Sequence, residues 1–110
     1  MDVIEKVFRN GKVRIILISE LGSYIGEVRF FKDGYISMLR VTPKLRSMGY
    51  GKKLVELAMG SFYDVECMRL HVDVWNERAI NFYRGIGFFI VNKTIDGRHY
   101  FMVAKLGLSL

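Results

Sequence analysis

The chain has one cysteine, Cys67, and one proline, Pro43, among its 110 residues. A single cysteine excludes an internal disulfide framework, so stability must come from packing. No apolar run approaches the eighteen or so residues that a membrane helix needs. The opening Met1-Asp-Val-Ile-Glu-Lys6 lacks the basic-then-apolar layout of a signal peptide. Together these absences lead us to expect a cytoplasmic protein with no membrane partner. Repeats, linkers and low-complexity segments are also lacking, and 110 residues fit one domain spanning 1–110. Acid is in short supply too: 11 Asp and Glu stand against 17 Lys and Arg, a net charge of +6. That imbalance favours an anionic partner.

What is present is apolar residue in quantity, 51% of the chain, enough for a real core. Tight turns divide the first third into strands. Val3–Phe8 is followed by Asn10-Gly11, the strongest two-residue hairpin signal. Val13–Ile18 is so rich in β-branched residues that burial on both faces is expected. Tyr24–Phe31 contains Gly26, a bulge signal, and Tyr35–Val41 follows the turn at Lys32-Asp-Gly34. Turns this short make neighbouring strands antiparallel.

Pro43 then ends the fourth strand, and Arg46-Ser-Met-Gly49-Tyr-Gly51 leads into a helical pattern. Leu54, Leu57, Ala58 and Phe62 recur at helical spacing, predicting a helix over 47–63. A strand, a glycine-bearing turn and a helix start aim backbone N–H groups and the positive helix end at one spot. Such a spot suits a phosphate, and Lys44, Arg46, Lys52 and Lys53 crowd it. Basic residues gathered at one turn favour a phosphate-bearing small molecule over nucleic acid.

Met68–Trp75 alternates as a strand, with Arg69, His71, Asp73 and Trp75 on one face. Asn76 reads as an N-cap with Glu77 behind it. Ala79, Ile80, Tyr83 and Ile86 form the stripe of a short helix that Gly87 ends. Phe88–Thr94 and His99–Leu106 are two more strands, joined by a hairpin at Ile95-Asp-Gly-Arg98. The order is β-β-β-β-α-β-α-β-β. It predicts an α/β (α+β) fold: a mixed, mostly antiparallel sheet with two packed helices. A right-handed crossover from residue 35 to residue 75 would make strands four and five a central parallel pair.

The turn is not a P-loop, since no G-x-x-x-x-G-K-S/T occurs, and it lacks the third glycine of a dinucleotide fingerprint. Two motifs in order nonetheless resemble the GNAT family of N-acetyltransferases. The first, R/Q-x-x-G-x-G/A after a strand ending V-x-P, stands as Val41-Thr-Pro43 and Arg46-Ser-Met-Gly49-Tyr-Gly51. The second, N-x-x-A-x-x-F/L-Y-x-x-x-G-F, is matched by Asn76, Ala79, Phe82, Tyr83, Gly87 and Phe88. The resemblance covers roughly residues 24–106 and implies a GNAT-like fold and acetyl-CoA as cosubstrate, with no metal.

The resemblance also implies roles. Leu39, Arg40 and Val41 would lend backbone groups to the pantetheine arm in a gap between splayed strands four and five. Ser47, Met48, Gly49, Tyr50, Gly51 and Lys52 would wrap the pyrophosphate, with Arg46 fixing the turn. Asn76 would contact the pantetheine or cap the second helix. Tyr83 would protonate the departing thiolate. The implied reaction is direct attack of a primary amine on the thioester through a tetrahedral intermediate. The amine must first lose a proton, and its ordinary pKa is about 10. His71 stands where relatives carry a glutamate base, and an imidazole could accept that proton, with Asp73 assisting. Glu27 is the other candidate. His71 could equally be a half-buried, hydrogen-bonded residue, and Cys67 a small core residue.

One departure stands out. Family members carry two helices between the first and second strands, and the Asn10-Gly11 turn leaves no place for them. An open acceptor side follows, suited to a peptide or protein amine; alternatively a homodimer partner supplies the wall, with Leu106–Leu110 taking part. Arg40, if it faces the groove, favours an acceptor bearing a carboxylate. Two other functions stay in view. One is a non-catalytic acyl-CoA-binding domain. The other, ranked last, is a basic nucleic-acid-binding module.

Overall fold

The computed structural model describes residues 1–62 and 64–106. The strands are β1 (Asp2–Val7), β2 (Lys12–Ile18), β3 (Tyr24–Phe31), β4 (Ile36–Val41), β5 (Cys67–Asp73), β6 (Phe89–Lys93) and β7 (His99–Lys105). Helix α1 (Tyr50–Met59) lies between β4 and β5, and α2 (Glu77–Gly85) between β5 and β6. This is the element order expected from the turns and periodicities. The chain divides into two compact units, Met1–Tyr63 and Asp64–Leu110.

The first unit is an antiparallel meander, β1-β2-β3-β4. Asn10-Gly11 makes the first turn as expected. Gly11 takes φ +87°, Phe8 N–H reaches Lys12 O at 2.8 Å, and Asn10 Oδ1 accepts from Lys12 N–H. No helix separates β1 from β2. The register slips beside Gly26, so the expected bulge is there. Val13, Ile15 and Leu17 are buried, with Val28 and Phe30 opposite them on the same face. Leu54, Val55 and Ala58 of α1 supply the other side of this core, and Phe62 meets Phe30 edge-on at 5.6 Å.

Burial of β2 on both faces is not found. Arg14, Ile16 and Ile18 are only half-buried, because the core lies on the α1 side alone. The first helix is also shorter than the 47–63 expected. It starts at Tyr50, because Ser47 and Gly49 hold positive φ. At the other end α1 closes at Met59 and Gly60; position 63 lies outside the described residues.

The second unit is a three-stranded antiparallel sheet, β5-β7-β6, with α2. Met68, Leu70 and Val72 are buried on one face of β5, with Met102 and Ala104 of β7. The predicted parallel pairing of strands four and five is not a ladder. β4 borders one sheet and β5 the other, and every ladder among the described residues is antiparallel. The crossover rule gives handedness and direction; it does not guarantee hydrogen bonds between the strands it joins. No described helix is long and apolar enough to cross a membrane. Residues 107–110 of the apolar C-terminal stretch lie outside the described residues.

Candidate functional site

The turn after β4 is built in three steps. Thr42 N–H bonds Ile25 O at 2.9 Å, closing the β3–β4 ladder. An antiparallel ladder alternates inward and outward pairs, so Arg40 bonds toward β3 and the backbone groups of Leu39 and Val41 point to the outer edge. Pro43–Leu45 then makes one 3₁₀ turn. Arg46 folds back, and its Nε–H donates to Val41 O at 3.2 Å, tying the turn to the strand end. Arg40, expected to lend backbone groups outward with its neighbours, turns them to β3 instead.

Ser47 (φ +68°) and Gly49 (φ +87°) bend the chain into the start of α1. Both are left-handed positions, which glycine adopts without strain and serine does not. No side chain caps α1, and no acidic residue stands in its first turn. Met48, Gly49 and Lys52 are exposed, while Tyr50 and Gly51 are half-buried. A β-carbon placed on Gly49 would meet nothing within 4 Å. The helix N-terminus is therefore electropositive, without a side-chain cap among the described residues, and sterically open at Gly49. That is a fit for a diphosphate.

The start of α2 is the contrast. Asn76 Oδ1 accepts from Ala79 N–H at 3.2 Å, and Glu77 sits in the first turn. Of the two roles for Asn76, capping α2 is the one made by its side chain. Gly87 holds φ +108° past the helix end. Tyr83 is buried, packed edge-on against Phe82 and Phe88 at 5.3 and 5.4 Å. Burial pushes its phenol up to about 12.

On β5, His71 is exposed and lies beside its cross-strand partner Phe101, ring centroids 5.2 Å apart. Asp73, expected to assist His71, pairs with His99: Nε2 to Oδ1 is 2.9 Å. The two are directly opposed in the β5–β7 ladder. Trp75 is 74% exposed. With Asp73, Val74, Gly97, Arg98 and His99 it lines a cavity of about 470 Å³. Cys67 is half-buried. No metal-binding group of His, Cys, Asp or Glu occurs among the described residues.

Glu27 is the surprise. It is 2% exposed, and its carboxylate accepts four hydrogen bonds: Arg14 Nε at 2.6 Å, Arg14 Nη2 at 3.1 Å, Arg29 Nε at 2.9 Å and Tyr24 Oη at 2.6 Å. Arg14 above all, with Tyr24 and Arg29, holds the carboxyl down to about 2, against the opposing effect of burial. Such a carboxylate is a poor base, so Glu27 leaves the list of proton acceptors. Tyr24 is raised to about 12, by burial first and then by its bond to Glu27.

The two motif stretches thus become an edge strand leading to an open helix N-terminus, and a capped helix carrying a buried tyrosine. The model of the acetyltransferase (GNAT) family matches residues 3–88, across both stretches. The chain belongs to that family. Similar proteins include N-alpha-acetyltransferase 30 of Saccharomyces cerevisiae, 42% identical over 57 residues, which are 50% of this chain and 32% of that protein. The Homo sapiens N-alpha-acetyltransferase 30 is 34% identical over 62 residues, 54% of this chain and 17% of the other. The chain thus spans a third or less of the length of these curated relatives. Two solved GNAT structures share the fold. Nourseothricin acetyltransferase superposes with a TM-score of 0.76 at 23% identity, covering 91% of this chain and 69% of the other. A spermidine N-acetyltransferase mutant from Vibrio cholerae gives 0.69 at 21%, covering 88% and 67%.

Proposed function

We propose that this GNAT chain is an N-acetyltransferase that moves an acetyl group from acetyl-CoA to a primary amine, and that its two units form one catalytic domain. The family match running across the unit boundary supports the single domain. The observation that carries the cosubstrate assignment is the sequence of features from Leu39 to Lys52. Outward backbone groups at Leu39 and Val41 suit the amide-rich pantetheine arm. The uncapped start of α1, shaped by Ser47 and Gly49, suits the diphosphate. Arg46 holds the two together through Val41 O, and Lys52 adds charge.

Acetyl-CoA supplies an acyl group already activated as a thioester. The chain's own residues have two proton tasks. The acceptor ammonium must be deprotonated before attack, and His71, exposed on β5, takes that role. The sulfur leaves as a thiolate whose thiol pKa is about 8.5, so it departs without strong assistance. Tyr83 is assigned the proton for it. With its phenol held near 12, Tyr83 gives up that proton reluctantly and acts chiefly as a hydrogen-bond donor.

The acceptor proposed is a peptide or protein amine. The direct β1–β2 turn, without helices between the strands, supports an open acceptor side. The named activity of the curated relatives, N-alpha-acetylation, points the same way. A second reading is an acyl-CoA-binding domain without catalysis. It is favoured by one fact: the buried carboxylate Glu27 is spent on two arginines and a tyrosine.

Thiol release from acetyl-CoA, followed with small amines, lysine peptides and peptides with free N-termini, separates the two. Release that depends on an amine establishes the transferase. Acetyl-CoA binding with no release across the panel establishes the second reading.

A further inference from the structure

Glu27 is the one buried charged residue among those described, and the proposed chemistry does not use it. Its surroundings follow from the register of the first sheet. One row across the strands reads Lys6, Arg14, Arg29, Met38, and the next reads Ile4, Ile16, Glu27, Arg40. Directly opposed residues share a face, so Arg14, Arg29 and Arg40 stand beside a single carboxylate on the face away from the α1-covered core, with Lys6 one strand beyond Arg14.

A carboxylate has about four acceptor positions, and Glu27 already takes four hydrogen bonds. It has nothing left to offer an ammonium group. The guanidinium groups are the opposite case. Arg29 spends only Nε on Glu27, leaving both terminal nitrogens, and Arg14 keeps Nη1. Arg40 is exposed, and its side chain makes no hydrogen bond or ion pair with another described residue. Arg14 and Arg29 side chains are 28% and 36% exposed, so neither is sealed from solvent. Glu27 thus fixes the inner edges of two planar forks and leaves their outer edges as donors. Planar N–H pairs of this kind match the two oxygens of a carboxylate or phosphate.

We propose that this face binds an oxyanion, a carboxylate or a phosphate, carried by the amine acceptor close to the amine. Arg40 and the outer nitrogens of Arg29 and Arg14 hold it, and Glu27 is the positioning residue. The inference rests on the cosubstrate reading above, because that reading places the pantetheine arm along Leu39 and Val41, the immediate neighbours of Arg40. It extends the reading from a peptide amine to an acidic one.

Three peptides test it, identical but for the second residue: glutamate, phosphoserine or glutamine, each with a free N-terminus and a fluorophore at the far end. Affinities come from anisotropy at low and high salt. The expected result is binding of one or both anionic peptides about tenfold tighter than the glutamine peptide, the scale of one charge-assisted hydrogen-bond pair. Whichever anion wins names the group. Arg40→Gln, Arg29→Gln and Glu27→Gln should each shrink that ratio toward one, and salt should shrink it in the wild type. A purely structural Glu27 would leave the ratio intact in folded Glu27→Gln protein.

Equal affinities for the three wild-type titrations overturn the inference, as does a ratio that survives both arginine substitutions. Calorimetry with acetyl-CoA on the same preparation keeps the two claims apart. CoA binding without an anion preference defeats this inference alone, whereas absence of CoA binding defeats the cosubstrate reading.

Discussion

Arg14 grips Glu27 through two nitrogens of one guanidinium, Nε at 2.6 Å and Nη2 at 3.1 Å, on a sheet face where the carboxylate is almost wholly out of solvent. Glu27→Gln should therefore cost about 2 kcal/mol at neutral pH, the scale for unpairing charge-assisted hydrogen bonds. The pH dependence has a defined sign. The folded carboxyl titrates near 2 and the unfolded one near 4.5, so its stabilisation is complete above 4.5. It is lost as pH falls from there through 2. Urea midpoints of wild type and variant should differ clearly at pH 7 and converge toward pH 2.

Gly26 and Arg40 meet through the backbone. A β-carbon on Gly26 would stand 2.4 Å from Arg40 O. Since the obstacle is backbone, the strand itself must move, and Gly26→Ala should destabilise the fold by about 1–3 kcal/mol. The displaced element is β4, so acetyl-CoA affinity should fall as well. Denaturant unfolding and calorimetry on the same variant check both.

Burial pushes the Tyr83 phenol up to about 12, and two expectations follow. Tyr83→Phe should slow acetyl transfer by about tenfold at most, with little change in acetyl-CoA affinity, since a phenol this weak contributes little as an acid. Tyrosinate absorbance at pH 11 should differ little between wild type and variant, because Tyr83 is still a phenol there. A large absorbance difference would show that it ionises normally.

His71→Gln bears on the base. If His71 takes the amine proton, kcat/KM should drop by about a hundredfold, and the acid limb of the pH–rate profile should change shape. An unchanged profile moves the proton to solvent or to the acceptor's own equilibrium.

Much of the fold could be read from local signals. Asn10-Gly11, Lys32-Asp-Gly34 and Asn76 each impose a backbone conformation through their own chemistry, and the structure has turns and a cap there. Three features were hidden for physical reasons. Val13–Ile18 looks the same whether one face or both are covered, because Ile16 and Ile18 are apolar even on the half-buried side. The helical spacing from Leu54 to Phe62 does not mark where the helix begins, and left-handed backbone at Ser47 and Gly49 delays it to Tyr50. The Glu27 cluster depends on cross-strand register, and the bulge beside Gly26 shifts that register. Counting alternation back from the turn at Gly22 would have set Arg14 near Arg29, but only with the bulge already placed. Asp73 illustrates the same limit, since its partner His99 comes from a distant strand.

The most direct test of the account is calorimetric titration of wild type and Gly49→Asp with acetyl-CoA. The substitution puts a negative charge and a strained left-handed aspartate at the open start of α1, where the diphosphate is proposed to sit. Saturable one-to-one binding by the wild type, weakened about a hundredfold or more in a folded Gly49→Asp variant, is the predicted result. Equal affinity in the two folded proteins would contradict it.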